Sequence, residues 1–371
     1  MNTATYSFPT TIRFGAGTLR ELPEHLVRLG VSNPLVVTDT GVISTSAFAT
    51  LETVLRGRCG IFSNVHPNPI EADVDGAARA YSGAACDGII AFGGGSALDV
   101  GKAVRLRILK PNLRLREFDF SADWRGLAPC IAIPTTAGTG SEVGRSSVII
   151  LNGRKKVLFH PELLPSLVIL DPELTRTLPA KLTAATGADA LTHCIESFTS
   201  PVFHPMCEGI ALEGIQLIGR SLARAVRDGG DIEARGLMQI AALMGGVAFQ
   251  KDLGATHSLA HPLSSICGLH HGLANALCLL PVMEFNAARK PGLYERVGIA
   301  LGIRNADDRA TIEAVRALLE EIGLKGGLRP HGVHDSHLDA LVEQAFEDGC
   351  HLTNPVPVTA EDLRGLYQAA M

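Results

Sequence analysis

Four short runs rich in β-branched residues constrain this chain more than any other feature. They are PLVVTDTG (34–41), GIIAFGGGS (88–96), PCIAIPTTAGTGS (129–141) and SLVILDPEL (166–174), each closed by glycine, proline or hydroxyl residues. Between them lie stretches of helical periodicity, such as TLRELPEHLVRLG (18–30) and IEADVDGAARAYSGAAC (70–86). Continuously apolar strands alternating with amphipathic helices predict a mostly parallel sheet covered on both faces. Past TRTLPAKLTAA (175–185) the strand runs stop. Helical patterns such as GIALEGIQLIGRSLARAV (209–226), ARGLMQIAALMGGVAFQ (234–250) and IEAVRALLEEIG (312–323) fill the rest. The expected organisation is an N-terminal α/β domain over 1–180 and an all-α C-terminal domain over 181–371.

Composition narrows the function classes. The net charge of −5 carries no long run of one sign, and only 5% of residues are aromatic, so a nucleic-acid binder is disfavoured. No apolar run reaches the ~20 residues of a membrane span. The N-terminus MNTATYSFPTTIRFG lacks the pattern of a secretory signal. Eight cysteines include no C-x-x-C pair, and several lie in apolar runs such as ALCLLP, as expected for reduced thiols in a cytoplasmic protein.

Two loops suit a nucleotide. GGGSALDVGKA (93–103) follows a buried strand and opens a helix. Glycines permit close backbone approach, and a helix N-terminus offers free N–H groups to a phosphate. The plainer alternative is a turn in which Ser96 caps the helix and Asp99 closes a capping box. PTTAGTGSE (134–142) also follows a strand and is dense in hydroxyls. Ligands of open α/β sheets bind at such strand ends. Asp39 closes the first run, where an acid can bind a ribose 2′-OH and so favour NAD over NADP, but from position alone a turn residue is the preferred reading.

The second half concentrates histidine. HSLAHPLSSICGLHHGLAN (257–275) holds His257, His261, His270 and His271 of the chain's 13. His257 and His261 share a helix face, as do Asp189 and His193 in GADALTHCIES. Imidazoles with one carboxylate suit Zn²⁺ or Fe²⁺ rather than Mg²⁺ or Ca²⁺. Spacing does not separate ligands from neighbours within this set. Cys194 and Cys267 are nearby soft donors.

These motifs together resemble the iron-containing (group III) alcohol dehydrogenases, whose fold is shared with dehydroquinate synthase. The likeness runs end to end, through FGAGTL (14–19), VVTD (36–39), PNP (67–69), GGGSALDVGKA, PTTAGTGSE, DPEL (171–174), GADALTHCIES, HSLAHPL, HHGLANALCLLPVMEFN and TNPVPVT (353–359). The resemblance implies a metal, Fe²⁺ or Zn²⁺, held by Asp189, His193, His257 and His271. It implies a proton-relay role for His261 beside the nicotinamide. It implies NAD contacts from Asp39, Asn68, Gly94, Gly95, Ser96, Thr135, Thr136 and Lys156, with Asp99 part of the same GGGS-x-x-D element. Lys155 is an equally close match to Lys156. The implied activity is reversible hydride transfer between NAD(H) and a small alcohol or aldehyde, in a homodimer or higher homo-oligomer.

Three departures bear on the substrate. The loop continues as SEVGRSS, the segment before the metal helix carries Lys251, and the C-terminal motif reads NPVP where many relatives read NPR. Arg145 and Lys251 either favour an anionic aldehyde or are solvated surface charges, and the second reading is preferred. Maleylacetate reductases look similar but lack the full ligand set, which is intact here, so that activity ranks second. A dehydroquinate-synthase-like lyase ranks lower, because its metal site uses a different acid/His arrangement.

Overall fold

The computed structural model describes residues 4–371, and the chain folds as two compact units. One comprises Phe8–Thr136 and Gly140–Leu178. The other comprises residues 4–7 and Ala137–Thr139 together with Pro179–Met371.

The first unit is built on β1 (Thr11–Phe14), β2 (Pro34–Val37), β3 (Gly60–Phe62), β4 (Gly88–Gly93), β5 (Cys130–Pro134), β6 (Ser146–Leu151), β7 (Arg154–Phe159) and β8 (Leu167–Leu170). Six of these form a parallel sheet in the order β1-β8-β5-β4-β2-β3. Every residue of β2, β4, β5 and β8 is buried, because helices cover both faces. The helices are α1 (Leu22–Arg28), α2 (Ser46–Leu55), α3 (Glu71–Gly83) and α4 (Gly95–Leu109). Val36, Ile90, Phe92, Ile131 and Ile169 pack in one cluster with Leu22, Leu26, Phe48 and Leu51 of α1 and α2. Alternate residues face the other way, and there Gly101 of α4 lies so close that an added Cβ would come within 2.5 Å of Ala91 Cβ. β6 and β7 form a separate antiparallel hairpin, turned by Asn152 and Gly153, both with positive φ (52° and 74°).

A buried polar knot ties this unit together. Lys102 of α4, 1% exposed, donates to the Ser141 carbonyl and hydroxyl at 2.9 and 2.6 Å and to the Ser146 carbonyl, and pairs with Asp99 at 3.1 Å. Glu142 is buried beside it, and burial pushes its carboxyl up to about 7 against the pull of Lys102. An acid raised in the folded state favours the fold below its ordinary value of 4.5 and loses that advantage as pH climbs through about 7. Glu142→Gln therefore gains stability over the parent chain as pH rises from 5 to 8, by on the order of 3 kcal/mol. Urea melts at the two pH values measure this, and parallel pH profiles would contradict it.

The second unit contains, among the described residues, nine α-helices. They are α5 (Ala180–Thr199), α6 (Pro205–Arg227), α7 (Ile232–Ala248), α8 (Ala255–Cys267), α9 (His271–Arg289), α10 (Glu295–Ala300), α11 (Asp308–Glu321), α12 (Leu338–Glu347) and α13 (Ala360–Ala370). Helix α5 is buried along most of its length and packs on α6, α7 and α9. A second core joins α8, α9, α12 and α13. Against the expectation from sequence, the segment Ile232–Lys251 is long and apolar enough to cross a membrane, but 67% of its apolar window is buried. That is the character of a core helix.

Candidate active site

In the first unit, the chain ends of three adjacent strands carry the expected nucleotide residues. Strand order reverses between β2 and β4, the kind of switch point at which open α/β sheets bind ligands. Asp39 follows β2. Its Oδ1 accepts the Gly41 and Val42 N–H groups at 2.8 and 2.9 Å, while Oδ2 lies toward Gly93. Gly93 has φ 150°, and an added Cβ would meet Ala97 Cβ at 2.8 Å, so the chain turns there only as glycine. Gly94 is the N-cap of α4 and Gly95 its first residue, with the Thr136 side chain 3.5 Å from where a Gly94 Cβ would stand. Thr135 is buried behind it. Asn68, half-buried, sits in a loop held to α4 by the Ser96 hydroxyl, which donates to the Pro67 carbonyl at 2.6 Å. Lys156 is exposed on β7 opposite Ile149, and Lys155 is half-buried.

The capping-box alternative is not what forms. The N-cap is Gly94 with no side-chain cap, because Ser96 is spent on Pro67. The Asp99 oxygens are likewise taken up within the fold, by the Ser141 hydroxyl at 2.6 Å and the Val148 N–H at 3.1 Å.

In the second unit the metal candidates converge. Asp189 and His193 lie one turn apart on α5, His257 and His261 one turn apart on α8, and His271 opens α9. Ligand atoms of Asp189, His257 and His271 all lie within 4.8 Å of one another. His193, the fourth expected ligand, lies outside that set, and its ring stacks on His257 with centroids 4.7 Å apart. Close helix approach makes this possible: an added Cβ on Gly272 would fall 2.1 Å from the Ala185 carbonyl oxygen. Burial drives the His193 imidazole down to about 4 despite Asp189, which leaves it neutral, as a metal ligand would have to be.

The donors fit a divalent cation. One amide nitrogen, Asn275 Nδ2, lies 2.7 Å from Asp189 Oδ1, 3.1 Å from His257 Nε2 and 3.2 Å from His271 Nε2. Three lone-pair atoms thus face one point, and Asn275 Oδ1 has no hydrogen-bond partner among the described residues. Glu196, a turn beyond His193 on α5, accepts His257 Nδ1 at 2.6 Å and so points His257 Nε2 at that point. The same carboxylate accepts the Gly254 and Thr256 N–H groups at 3.0 and 2.7 Å, at the start of α8. Burial alone would raise the Glu196 carboxyl, yet these bonds hold it below its ordinary value. The thiols stand apart from this chemistry. Burial pushes Cys194 up to about 12 and raises Cys267, so both remain protonated.

The iron-containing alcohol dehydrogenase profile matches residues 9–172, and the C-terminal profile of the Fe-containing alcohol dehydrogenase family matches 183–371. The chain belongs to the iron-containing alcohol dehydrogenases. It is 39% identical to the 4-hydroxybutyrate dehydrogenase of Cupriavidus necator, over 98% of each chain. It matches the crystal structure of a 1,3-propanediol oxidoreductase with TM-score 0.95 and 31% identity, over all of both chains. It also matches the sulfoacetaldehyde reductase of Bifidobacterium kashiwanohense, solved in complex with NAD⁺, with TM-score 0.90 and 30% identity over 100% of this chain and 99% of that one. The α/β and all-α architecture is that of this dehydrogenase family, and the chain is an oxidoreductase.

Several residues that hold the candidate site of this iron-containing alcohol dehydrogenase in place were not singled out by the sequence. Glu196 falls on the face of Asp189 and His193, so its signal lay in the same motif. Asp348, whose Oδ2 lies 2.7 Å from His261 Nδ1, is distant in the chain and gave none. TNPVPVT has a structural use: Asn354 Oδ1 accepts the Ala255 N–H at 3.2 Å and Thr353 donates to the Leu253 carbonyl at 2.8 Å, bracing the start of α8. His270 is exposed at the N-cap of α9. Against the solvated-charge expectation, Lys251 is neither a surface charge nor available to a substrate, being 1% exposed and bonded to Glu208 Oε1 at 3.0 Å. Arg145 is half-buried with its guanidinium 5.2 Å from the Phe159 ring centroid, so it too departs from the solvated reading.

Proposed function

We propose that this dehydrogenase interconverts a small alcohol and its aldehyde with NAD(H), using Fe²⁺ or Zn²⁺ held by Asp189, His193, His257 and His271. The observation that carries the reading is the convergence of Asp189 Oδ1, His257 Nε2 and His271 Nε2 on one point. When bound, the ion supplies Lewis acidity at the substrate oxygen, and the nicotinamide carries the hydride. The chain supplies the rest. Glu196 fixes the His257 ring. His261, stacked on the His271 ring at 5.3 Å, moves the alcohol proton toward solvent. The N–H groups of Gly94, Gly95 and Ser96 at the head of α4 receive the pyrophosphate. Asn68, Thr135, Thr136 and Lys156 complete the cofactor contacts, and Asp99 shapes their loop. Asp39 Oδ2 takes the ribose 2′-OH and repels a 2′-phosphate. The exposed edge strand β1 supports a homodimer or larger homo-oligomer.

The panel that tests this contains a neutral aldehyde, succinate semialdehyde, sulfoacetaldehyde and maleylacetate. One NADH consumed per alcohol formed is expected. Turnover without net NADH consumption would point to a lyase instead. Turnover of maleylacetate alone would favour the reductase reading, which the complete ligand set disfavours. Asp39→Gly is expected to raise kcat/KM for NADPH relative to NADH by about tenfold, equivalent to ~1.4 kcal/mol. An unchanged preference would remove Asp39 from the cofactor site.

A further inference from the structure

His261 does not stand alone. Its Nδ1 lies 2.7 Å from Asp348 Oδ2, and the two side chains are only 15% and 19% exposed. Asp348 is itself held. Its Oδ1 accepts the Ser258 hydroxyl at 3.1 Å and the Cys350 N–H at 2.9 Å, and its backbone follows α12 into a 3-10 turn. Ser258 is also fixed, because its hydroxyl oxygen accepts the His351 N–H at 2.8 Å. The carboxylate therefore presents one oxygen to the ring in a set direction. Burial alone would raise this carboxyl, but the bond to His261 keeps it well below the usual carboxylate range, so it is an acceptor only. An acceptor at Nδ1 requires the proton to sit on Nδ1, which leaves Nε2 with a lone pair.

We propose that Asp348 is the positioning residue of the proton relay: it holds His261 as the Nδ1–H tautomer, with Nε2 free to accept the substrate hydroxyl proton. This rests on the reading of His261 as the relay. In alcohol oxidation the substrate O–H bond breaks and its proton goes to Nε2. The carbon-bound hydrogen leaves with its electron pair to NAD⁺, and the proton held by His261 passes to solvent. In reduction the same atom delivers the proton. Asp348 stays ionised throughout. It touches neither substrate nor cofactor in this scheme and acts only through the ring.

The test uses the metal-loaded enzyme and four variants: Asp348→Asn, Asp348→Glu, His261→Ala and the double variant His261→Ala with Asp348→Asn. An asparagine can offer Nδ2 as a donor to Nδ1 and so favours the opposite tautomer. Asp348→Asn is expected to lower kcat by about 10–100-fold, with KM within about twofold and metal content unchanged. Asp348→Glu, which keeps an acceptor, is expected to recover part of the loss. His261→Ala is expected to be slow with metal retained, and adding Asp348→Asn to it should cost nothing more in kcat. A readout independent of turnover comes from ¹⁵N-histidine NMR of the metal-free protein, where Asp348→Asn should move the His261 proton from Nδ1 to Nε2. Additive losses in the double variant would show a merely structural Asp348 and overturn the proposal. So would an unchanged tautomer, or full kcat in Asp348→Asn beside a slow His261→Ala. Full kcat in His261→Ala would instead bring down the relay reading, and the proposal with it.

Discussion

Asp189→Ala is expected to lose both bound metal and turnover. The substitution removes the only carboxylate among the four proposed ligands, and with it the negative charge that balances the cation. Asn275 Nδ2 would lose its 2.7 Å acceptor as well. Lewis-acid stabilisation of a developing alkoxide amounts to several kcal/mol, so kcat/KM should fall by about 10³-fold or more. The fold should survive, because Asp189 lies among buried alanines and leucine of α5 that keep their own contacts. Metal analysis, steady-state kinetics and a thermal melt of the same preparation measure all three. Full activity in a metal-free Asp189→Ala protein would refute the site assignment.

Glu196→Ala is expected to weaken both the site and the fold. Three donors lose their acceptor at once: Gly254 N–H, Thr256 N–H and His257 Nδ1. All three are buried, and each unsatisfied buried donor costs about 1–3 kcal/mol, so destabilisation of several kcal/mol is expected. The start of α8 also loses a negative charge at the positive end of its dipole. With its ring unheld, His257 should bind metal about 10–100-fold more weakly. Glu196→Gln separates the two effects. It retains an oxygen for one N–H but cannot accept from every donor, so it should recover stability more than metal affinity. Equal metal affinity in Glu196→Ala and the parent would show that the carboxylate braces α8 only.

Much of this was legible in the sequence, for identifiable reasons. Strands β2, β4, β5 and β8 are buried on both faces, so they read as continuous apolar runs. The edge strands β1 and β3 are three or four residues long and partly exposed, which erases that signal. The hairpin carries a readable signal that the strand pattern above leaves unused: Asn152-Gly153 marks its turn, and alternate residues of β6 are buried. In the helical unit, i,i+4 spacing placed Asp189 with His193 and His257 with His261, because one turn of helix converts spacing into proximity. Local periodicity says nothing about which helices meet. Asp348 reaches His261, and Asn354 reaches α8, through tertiary packing across roughly a hundred residues or fewer of intervening chain. Lys251 shows the limit from the other side. A charged residue in a polar-looking segment reads as exposed, yet Glu208 and the Phe198 carbonyl draw it into the interior.

The measurement that tests the central claim most directly is metal content of anaerobically purified protein, with NADH-dependent aldehyde reduction before and after chelation and after adding metal back. About one equivalent of Fe or Zn per chain, activity lost on chelation and restored by Fe²⁺ or Zn²⁺, is the predicted result. A protein that holds no metal and reduces its aldehyde at full rate in chelator would contradict the claim, and the convergence of Asp189, His257 and His271 would then need another cause.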